Sequence, residues 1–198
     1  MFVTFEGLDW SGKSTQAELL AAWLRGQGRT VTTSREPGGT PVAEGVRDLV
    51  LHGDDMAPWA EAALYAAARA DNVARVIRPA LERGDDVVCD RYLDSSVAYQ
   101  GIARGLGAAE VRDLSLLVTQ GLVPDLTFLV LVDPAEARRR GGEHHDRIER
   151  EGEDFHQRVD AGYRAIAASE PERIVAVDGT RSAEEIAEEI RERVRPLL

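Results

Sequence analysis

Apolar residues fall along this chain in short runs rich in β-branched and aromatic side chains. Between the runs lie longer stretches in which apolar positions recur every three or four residues. The runs at 2–5, 30–33, 87–89, 126–132 and 174–177 read as strands covered on both faces. The periodic stretches predict helices at about 13–26, 41–52, 58–83, 94–120 with a Gly-rich break near 105–107, 134–140, 150–168 and 182–195. Strand and helix alternate throughout, which predicts an α/β three-layer sandwich. Its core is a parallel sheet of about five strands with helices on both faces, and ligands bind at the carboxyl ends of the strands. No solenoid repeat and no linker divides the 198 residues, so one domain spanning 1–198 is expected. The stretch 138–158, RRRGGEHHDRIEREGEDFHQR, is dense in charge and has little to bury; within it a short mobile lid is expected at about 138–150.

Composition narrows the function. With 43% hydrophobic and 30% charged residues, disordered and fibrous classes are excluded. A net charge of −11 argues against a nucleic-acid partner, which would require a basic stripe. The single cysteine, Cys89, admits no internal disulfide, and the longest apolar run falls far short of the roughly 20 residues of a membrane span. The expectation is a cytoplasmic chain with a small-molecule substrate and neither a nucleic-acid nor a membrane partner.

The basic residues carry the sharper signal. Of 24, all but Lys13 are arginine. A compact ammonium differs from a guanidinium fork in shape, hydration and donor geometry, so the one lysine marks a position to inspect. It lies in Gly7-Leu8-Asp9-Trp10-Ser11-Gly12-Lys13-Ser14, which fits G-x-x-x-x-G-K-[ST] at every fixed position, after a predicted strand and at the start of a predicted helix. Glycines there let backbone N–H groups and the helix N-terminus wrap a phosphate. Lys13 reaches the terminal phosphates of ATP, and the Ser14 hydroxyl can ligate Mg²⁺. Residues 7–15, including Thr15, are therefore the candidate nucleotide-binding loop. A GTPase also needs a guanine-reading N-K-x-D element, and no second lysine exists to supply it.

After the second predicted strand comes REPGGT (35–40), and after the third DRYLDSSVAYQG (90–101). Together with FEGLDWSGKST (5–15), the segment from Tyr65 to Arg69 and the DRIE of 146–149, these motifs resemble the thymidylate kinase family, in order and spacing, over most of the chain. The resemblance implies a P-loop fold and transfer of the terminal phosphoryl group of ATP to dTMP, with Mg²⁺. It assigns Tyr65 to stacking on the thymine ring, Arg69 to its O4, Ser96 and Gln100 to the base edge, and Tyr99 to the sugar, with Ser95 on the same helix face. Arg47 and Arg91 become clamps for the dTMP phosphate, and Asp9 an acceptor for the 3′-hydroxyl. Glu36, followed by Pro37, and Asp90 orient arginines and the waters around Mg²⁺; for Asp90 a simple salt bridge to Arg91 is the alternative.

Members of that family meet the charge that develops on transfer with a basic residue inside the loop or with lid arginines; none stands at positions 8–11, so the resemblance implies Arg138, Arg139, Arg140 and Arg147 of the lid. The catalytic set is thus Lys13, Arg91, Asp9, Arg147 and Arg140. Trp10 departs from the small or basic residue usual in the family. His144-His145-Asp146 reads as solvated lid rather than a metal site, because adjacent residues do not share a helix face. Thr180 and Arg181 resemble the adenine-side loop weakly. A homodimer through helices 58–83 and 107–120 is implied by family analogy. Two rivals are a kinase for another nucleotide, which the Arg69 and Ser96 region opposes, and a regulatory module that binds ATP without transfer, which the acceptor motifs oppose.

Overall fold

The computed structural model describes residues 1–141 and 146–198. Five parallel strands form one sheet in the order β2-β3-β1-β4-β5: β1 (Phe2–Glu6), β2 (Val31–Arg35), β3 (Asp86–Asp90), β4 (Leu126–Leu131) and β5 (Ile174–Asp178). Every predicted strand is present, with ends that differ from the predicted ones by at most two residues, as expected for the α/β class.

Alternation along the strands builds two cores. Val3 and Phe5 of β1, Val88 of β3 and Phe128 and Val130 of β4 face α1 (Lys13–Gly26) and α9 (Ala183–Val194), meeting Leu20, Leu24, Ile186 and Ile190. Phe2, Val87 and Cys89 turn to the opposite face, beneath a layer that includes the helices between β2 and β3 and between β3 and β4. Those are α2 (Pro41–His52) and α3 (Pro58–Asn72), a π-helical turn Val73–Ile77 leading into α4 (Arg78–Glu82), then α5 (Leu93–Ser96), a second π-helical turn Val97–Ala103, and α6 (Ala108–Val118). After β4 come α7 (Pro134–Arg140) and α8 (Glu153–Ser169). The long helices predicted at 58–83 and 94–120 are these composite elements, the second interrupted at positive-φ Gly105 and Gly107 as the break required.

β1 is central, and the strand order reverses on either side of it, so the crevice above its carboxyl end is the switch point where α/β folds bind ligands. Register sharpens this: Phe5 and Arg35 both pair with Asp90. Glu6, Glu36 and Arg91 therefore leave three adjacent strands at the same edge. No helix among the described residues is long and apolar enough to cross a membrane. His144 and His145 lie outside the described residues, as does part of the stretch expected to be a lid.

Candidate active site

The loop from β1 to α1 has the turns a phosphate cradle needs. Gly7 (φ 142°) and Gly12 (φ 99°) take conformations that L side chains avoid, and a Cβ on Gly7 would strike the carbonyl of Val130. Lys13 is buried; its ammonium donates to the Leu8 carbonyl at 3.2 Å and lies 3.5 Å from Asp9. Burial and the neighbouring Arg91 lower its pKa, against the attraction of Asp9. Ser14 and Thr15 at the start of α1 are exposed, and the Ser14 hydroxyl donates to Asp90 Oδ2 at 2.5 Å. Asp90 Oδ1 is buried and has no hydrogen-bond partner among the described residues. An orphaned carboxylate oxygen beside a loop serine fits a hard divalent cation completed by waters and phosphate.

Next to the loop lies a cleft lined by Asp9, Glu36, Pro37, Arg47, Tyr65, Arg69, Arg91, Ser95, Ser96, Tyr99 and Gln100. All eleven acceptor-side residues read from the sequence line this one wall. Leu51, Asp146 and Ile148 complete it; the last two belong to the DRIE segment, and Asp146, read from the sequence as solvated lid, lines the cleft instead.

Local structure explains the aim of each group. Gly38 and Gly39 turn the chain after Glu36, Thr40 caps α2 by accepting from the Ala43 N–H at 3.1 Å, and Pro41 opens the helix that carries Arg47 to the cleft. Arg47 donates to the Pro37 carbonyl at 3.0 Å. Arg91 sits at φ 68°, a left-handed conformation costly for a residue with a Cβ and a mark of functional sites. Its Nη2 donates to Asp9 Oδ1 at 2.5 Å, while Nη1 reaches the Gly7 carbonyl, Ser95 Oγ and Tyr163 Oη at 3.0–3.1 Å. Burial would raise the pKa of Asp9, but Arg91 and Lys13 outweigh it and hold the carboxyl far below its usual range.

Arg69 is 2% exposed and almost fully engaged: Nε to Glu36 at 2.7 Å, Nη1 to Ser115 at 3.0 Å, and Nη2 to the Tyr92 carbonyl and Ser96 at 3.0 and 3.1 Å. One Nη1 hydrogen is left of the five. Gln100 donates through Nε2 to Glu61 at 2.9 Å. Tyr65, on the same face of α3 as Arg69, is half-buried at the cleft. The Tyr99 hydroxyl is 3.4 Å from Asp9 Oδ2.

Two arginines are placed otherwise than the sequence suggested. Arg147 is not an open lid arginine. It is 6% exposed, its Nη2 lies 2.8 Å from Glu61 Oε2, and its Nε donates to the Val50 carbonyl. The reason is Glu61, a carboxylate 1% exposed that needs the positive charge of Arg104 and Arg147 to stay ionised. Arg140 bonds Glu136 at 2.9 Å and the Gly179 carbonyl after β5 at 3.1 Å, which ties it to the turn that includes Thr180. Arg139 also pairs with Glu136. Arg138 has no ion pair among the described residues, and with Leu8 and Trp10 it lines a second cavity, above the phosphate loop. Trp10 leaves the loop at φ 64°, packs on Gly141, and donates its indole N–H to Glu149 at 3.0 Å. Its bulk therefore lies on the segment after α7.

Sequence reasoning also missed Glu6 and Tyr163, the two groups behind Arg91. Glu6 stood inside the FEG motif, just past the predicted strand, with no role assigned, and Tyr163 gave no signal on a helix far along the chain.

A phosphate loop and an arginine-lined cleft that share the carboxyl edge of one parallel sheet, with two tyrosines and a glutamine in the same cleft, define a P-loop kinase acting on a small anionic acceptor. The family model "Thymidylate kinase" matches residues 5–190. Similar chains include a thymidylate kinase of Leifsonia xyli subsp. xyli, 57% identical over 96% of this chain and 92% of that one, and one of Clavibacter sepedonicus, 53% identical over 100% and 96%. The crystal structure of thymidylate kinase from Ehrlichia chaffeensis superposes with a TM-score of 0.81 at 32% identity, covering 98% of each chain. The chain belongs to the thymidylate kinase family.

Proposed function

We propose that this chain transfers the terminal phosphoryl group of Mg-ATP to dTMP, giving dTDP and ADP for dTTP synthesis and DNA replication. The observation that carries the reading is the meeting, in one cleft beside the phosphate loop, of two arginines suited to a phosphate with a tyrosine, an arginine and an amide suited to a pyrimidine.

Residues 7–15 cradle the ATP phosphates, with Lys13 released from the Leu8 carbonyl onto the terminal ones. Ser14 and Asp90 would hold Mg²⁺, which would supply neutralisation of charge at the donor phosphates. Arg47 and Arg91 clamp the dTMP phosphate, Asp9 accepts from the 3′-hydroxyl, and Tyr99 closes on the sugar. Glu36 and Pro37 form the wall beside them, and Glu36 anchors Arg69 through Nε.

Base choice follows from donors and acceptors. Tyr65 stacks on the ring, and the remaining Arg69 N–H donates to O4. Gln100, its amine committed to Glu61, offers Oε1 to the N3–H. Cytosine would place its amine against Arg69 and its N3 lone pair against that oxygen, two unpaired contacts. Ser95 steadies Arg91 and Ser96 steadies Arg69 by accepting from them, and the Ser96 hydroxyl proton serves the base edge.

Transferring charge is met by Arg138 from a lid over the loop. Arg140 serves the turn after β5 instead. Leu117, 76% exposed on α6, and Trp59, 49% exposed on α3, suit a homodimer face on two helices that pack side by side, in a cytoplasmic enzyme without nucleic-acid or membrane partners; sedimentation tests that assembly. The central test is ADP release with dTMP, dUMP, dCMP and dGMP as acceptors. The reading expects dTMP to be turned over best. Equal or better turnover of dCMP overturns it, and ATP binding with no ADP from any acceptor points to a regulatory module.

A further inference from the structure

Glu6 is the only charged side chain of the central strand, and it is 1% exposed. Strand alternation points it away from the α1 core, toward the layer that holds α5 and α8. A carboxylate buried there costs several kcal/mol unless its oxygens are bonded. Three donors meet it: the Tyr92 N–H at 2.8 Å on Oε1, and Ser95 Oγ at 2.5 Å and Tyr163 Oη at 3.0 Å on Oε2. The two hydroxyls also lie 2.8 Å from each other. The charged groups around Glu6 are Asp94, itself paired with Arg173, and Arg91, Arg69 and Lys13; Cys89 and Tyr163 are the neutral titratable neighbours.

Each hydroxyl has one proton, and an ionised carboxylate only accepts. The protons of Ser95 and Tyr163 are therefore spent within the triangle they form with Glu6, on Glu6 or on each other. Their lone pairs are what remains for Arg91, whose Nη1 donates to both. Remove the carboxylate's demand and either hydroxyl can turn its proton toward the guanidinium, which has nothing to accept it with. Glu6 does not line the cleft, and no hydrogen bond or ion pair joins it directly to Arg91. A layer of neutral oxygens thus separates the two charges, so Arg91 is oriented from behind without full neutralisation by that carboxylate.

From this geometry we propose that Glu6, acting through the hydroxyls of Ser95 and Tyr163, is a positioning residue that sets Arg91 for the phosphate of the nucleotide acceptor. The inference rests on the reading of Arg91 as the phosphate clamp. It assigns a role to the strand-end carboxylate that the phosphate loop and the base-reading groups do not use, and it makes α8, through Tyr163, part of the acceptor phosphate site.

The test compares dTMP with thymidine, which has the same base and sugar and no phosphate, in equilibrium binding to the full-length protein. Glu6→Gln is expected to weaken dTMP about ten-fold, the loss of roughly one charge-assisted hydrogen bond, while thymidine binding and the KM for ATP stay within about two-fold. Tyr163→Phe keeps the buried carboxylate and removes one hydroxyl, so it remains informative if Glu6→Gln folds poorly. It should weaken dTMP about three-fold with the same selectivity. The double variant should lose less than the product of the two. Equal weakening of dTMP and thymidine, or no weakening of either, overturns the proposal. Arg91→Lys separates it from the reading beneath it. If Arg91→Lys spares the difference between dTMP and thymidine, the clamp itself falls, and the proposal with it. If Arg91→Lys reduces that difference and the Glu6 and Tyr163 variants do not, the clamp stands and this proposal alone is wrong.

Discussion

Arginines that look equivalent in the sequence divide by what their neighbours already take. Arg91 meets a carboxylate on one nitrogen and neutral oxygens on the other, Arg69 has one hydrogen to spare, and Arg147 is consumed by Glu61. Arg147→Ala should therefore act on stability. Removing one cation from a buried cluster that retains Arg104 is expected to cost about 2–4 kcal/mol in urea unfolding, with kcat within about two-fold at temperatures where the variant is folded. Arg138→Ala should do the reverse, lowering kcat at least ten-fold with unchanged unfolding, because Arg138 lines a cavity shared with Leu8 and Asp9 of the phosphate loop and has no ion pair among the described residues. A large kcat loss in Arg147→Ala together with normal activity in Arg138→Ala would exchange the two roles. Lys13→Arg keeps the charge but not the compact ammonium inside a buried loop, and a kcat loss of about a hundred-fold is expected in steady-state assays.

Elements differ in how much of their form is local. α9 is almost self-specified: Ser182 accepts from the Glu185 N–H and Glu185 bonds back to the Ser182 N–H, a capping box, while Ile186, Ile190 and Val194 make one buried stripe. Ser182→Ala should cost about 1 kcal/mol by chemical denaturation and leave turnover unchanged, since the cap lies far from the acceptor cleft. The segment after β2 is the opposite case. Gly39 sits at φ 87°, and a Cβ there would come within 2.7 Å of Ser34 and Asn72. What that loop does depends on α3, whose Asn72 and Arg69 hold Glu36. The periodic helix stretches at 58–83 and 94–120 were legible as apolar stripes. Their π-helical turns were not, because nothing in a three-to-four-residue spacing marks an extra residue in a turn.

For the molecule as a whole, the site is held together at a cost in folding free energy. Burial and the charge of Asp94 push Glu6 up to about 7, from 4.5 in an unstructured chain, despite the hydrogen bonds it accepts and the charge of Arg91. Between those values the folded protein keeps a proton that the unfolded chain has released, so stability falls as pH rises through the window. The loss is complete above about pH 7 and is on the order of 3 kcal/mol. Glu6→Gln cannot titrate there. Urea midpoints of the two proteins at pH 5 and pH 8 should therefore shift in favour of the variant at the higher pH; a constant difference would mean that Glu6 titrates as an ordinary surface carboxylate.

Sequence alone determined the alternation of strand and helix, the parallel sheet, the phosphate loop around the solitary lysine, and most of the residues that line the acceptor cleft. Each of these is written within a few turns of chain, as apolar period, glycine position or contiguous motif. Tertiary structure decided which of those groups are free to act. Tyr163 reaches Arg91 across 72 residues, Gln100 is oriented by Glu61 across 39, and Arg147 is paired with that same buried carboxylate of α3. A charge in a sequence is a capacity for interaction, and only packing settles whether a ligand or a buried partner takes it.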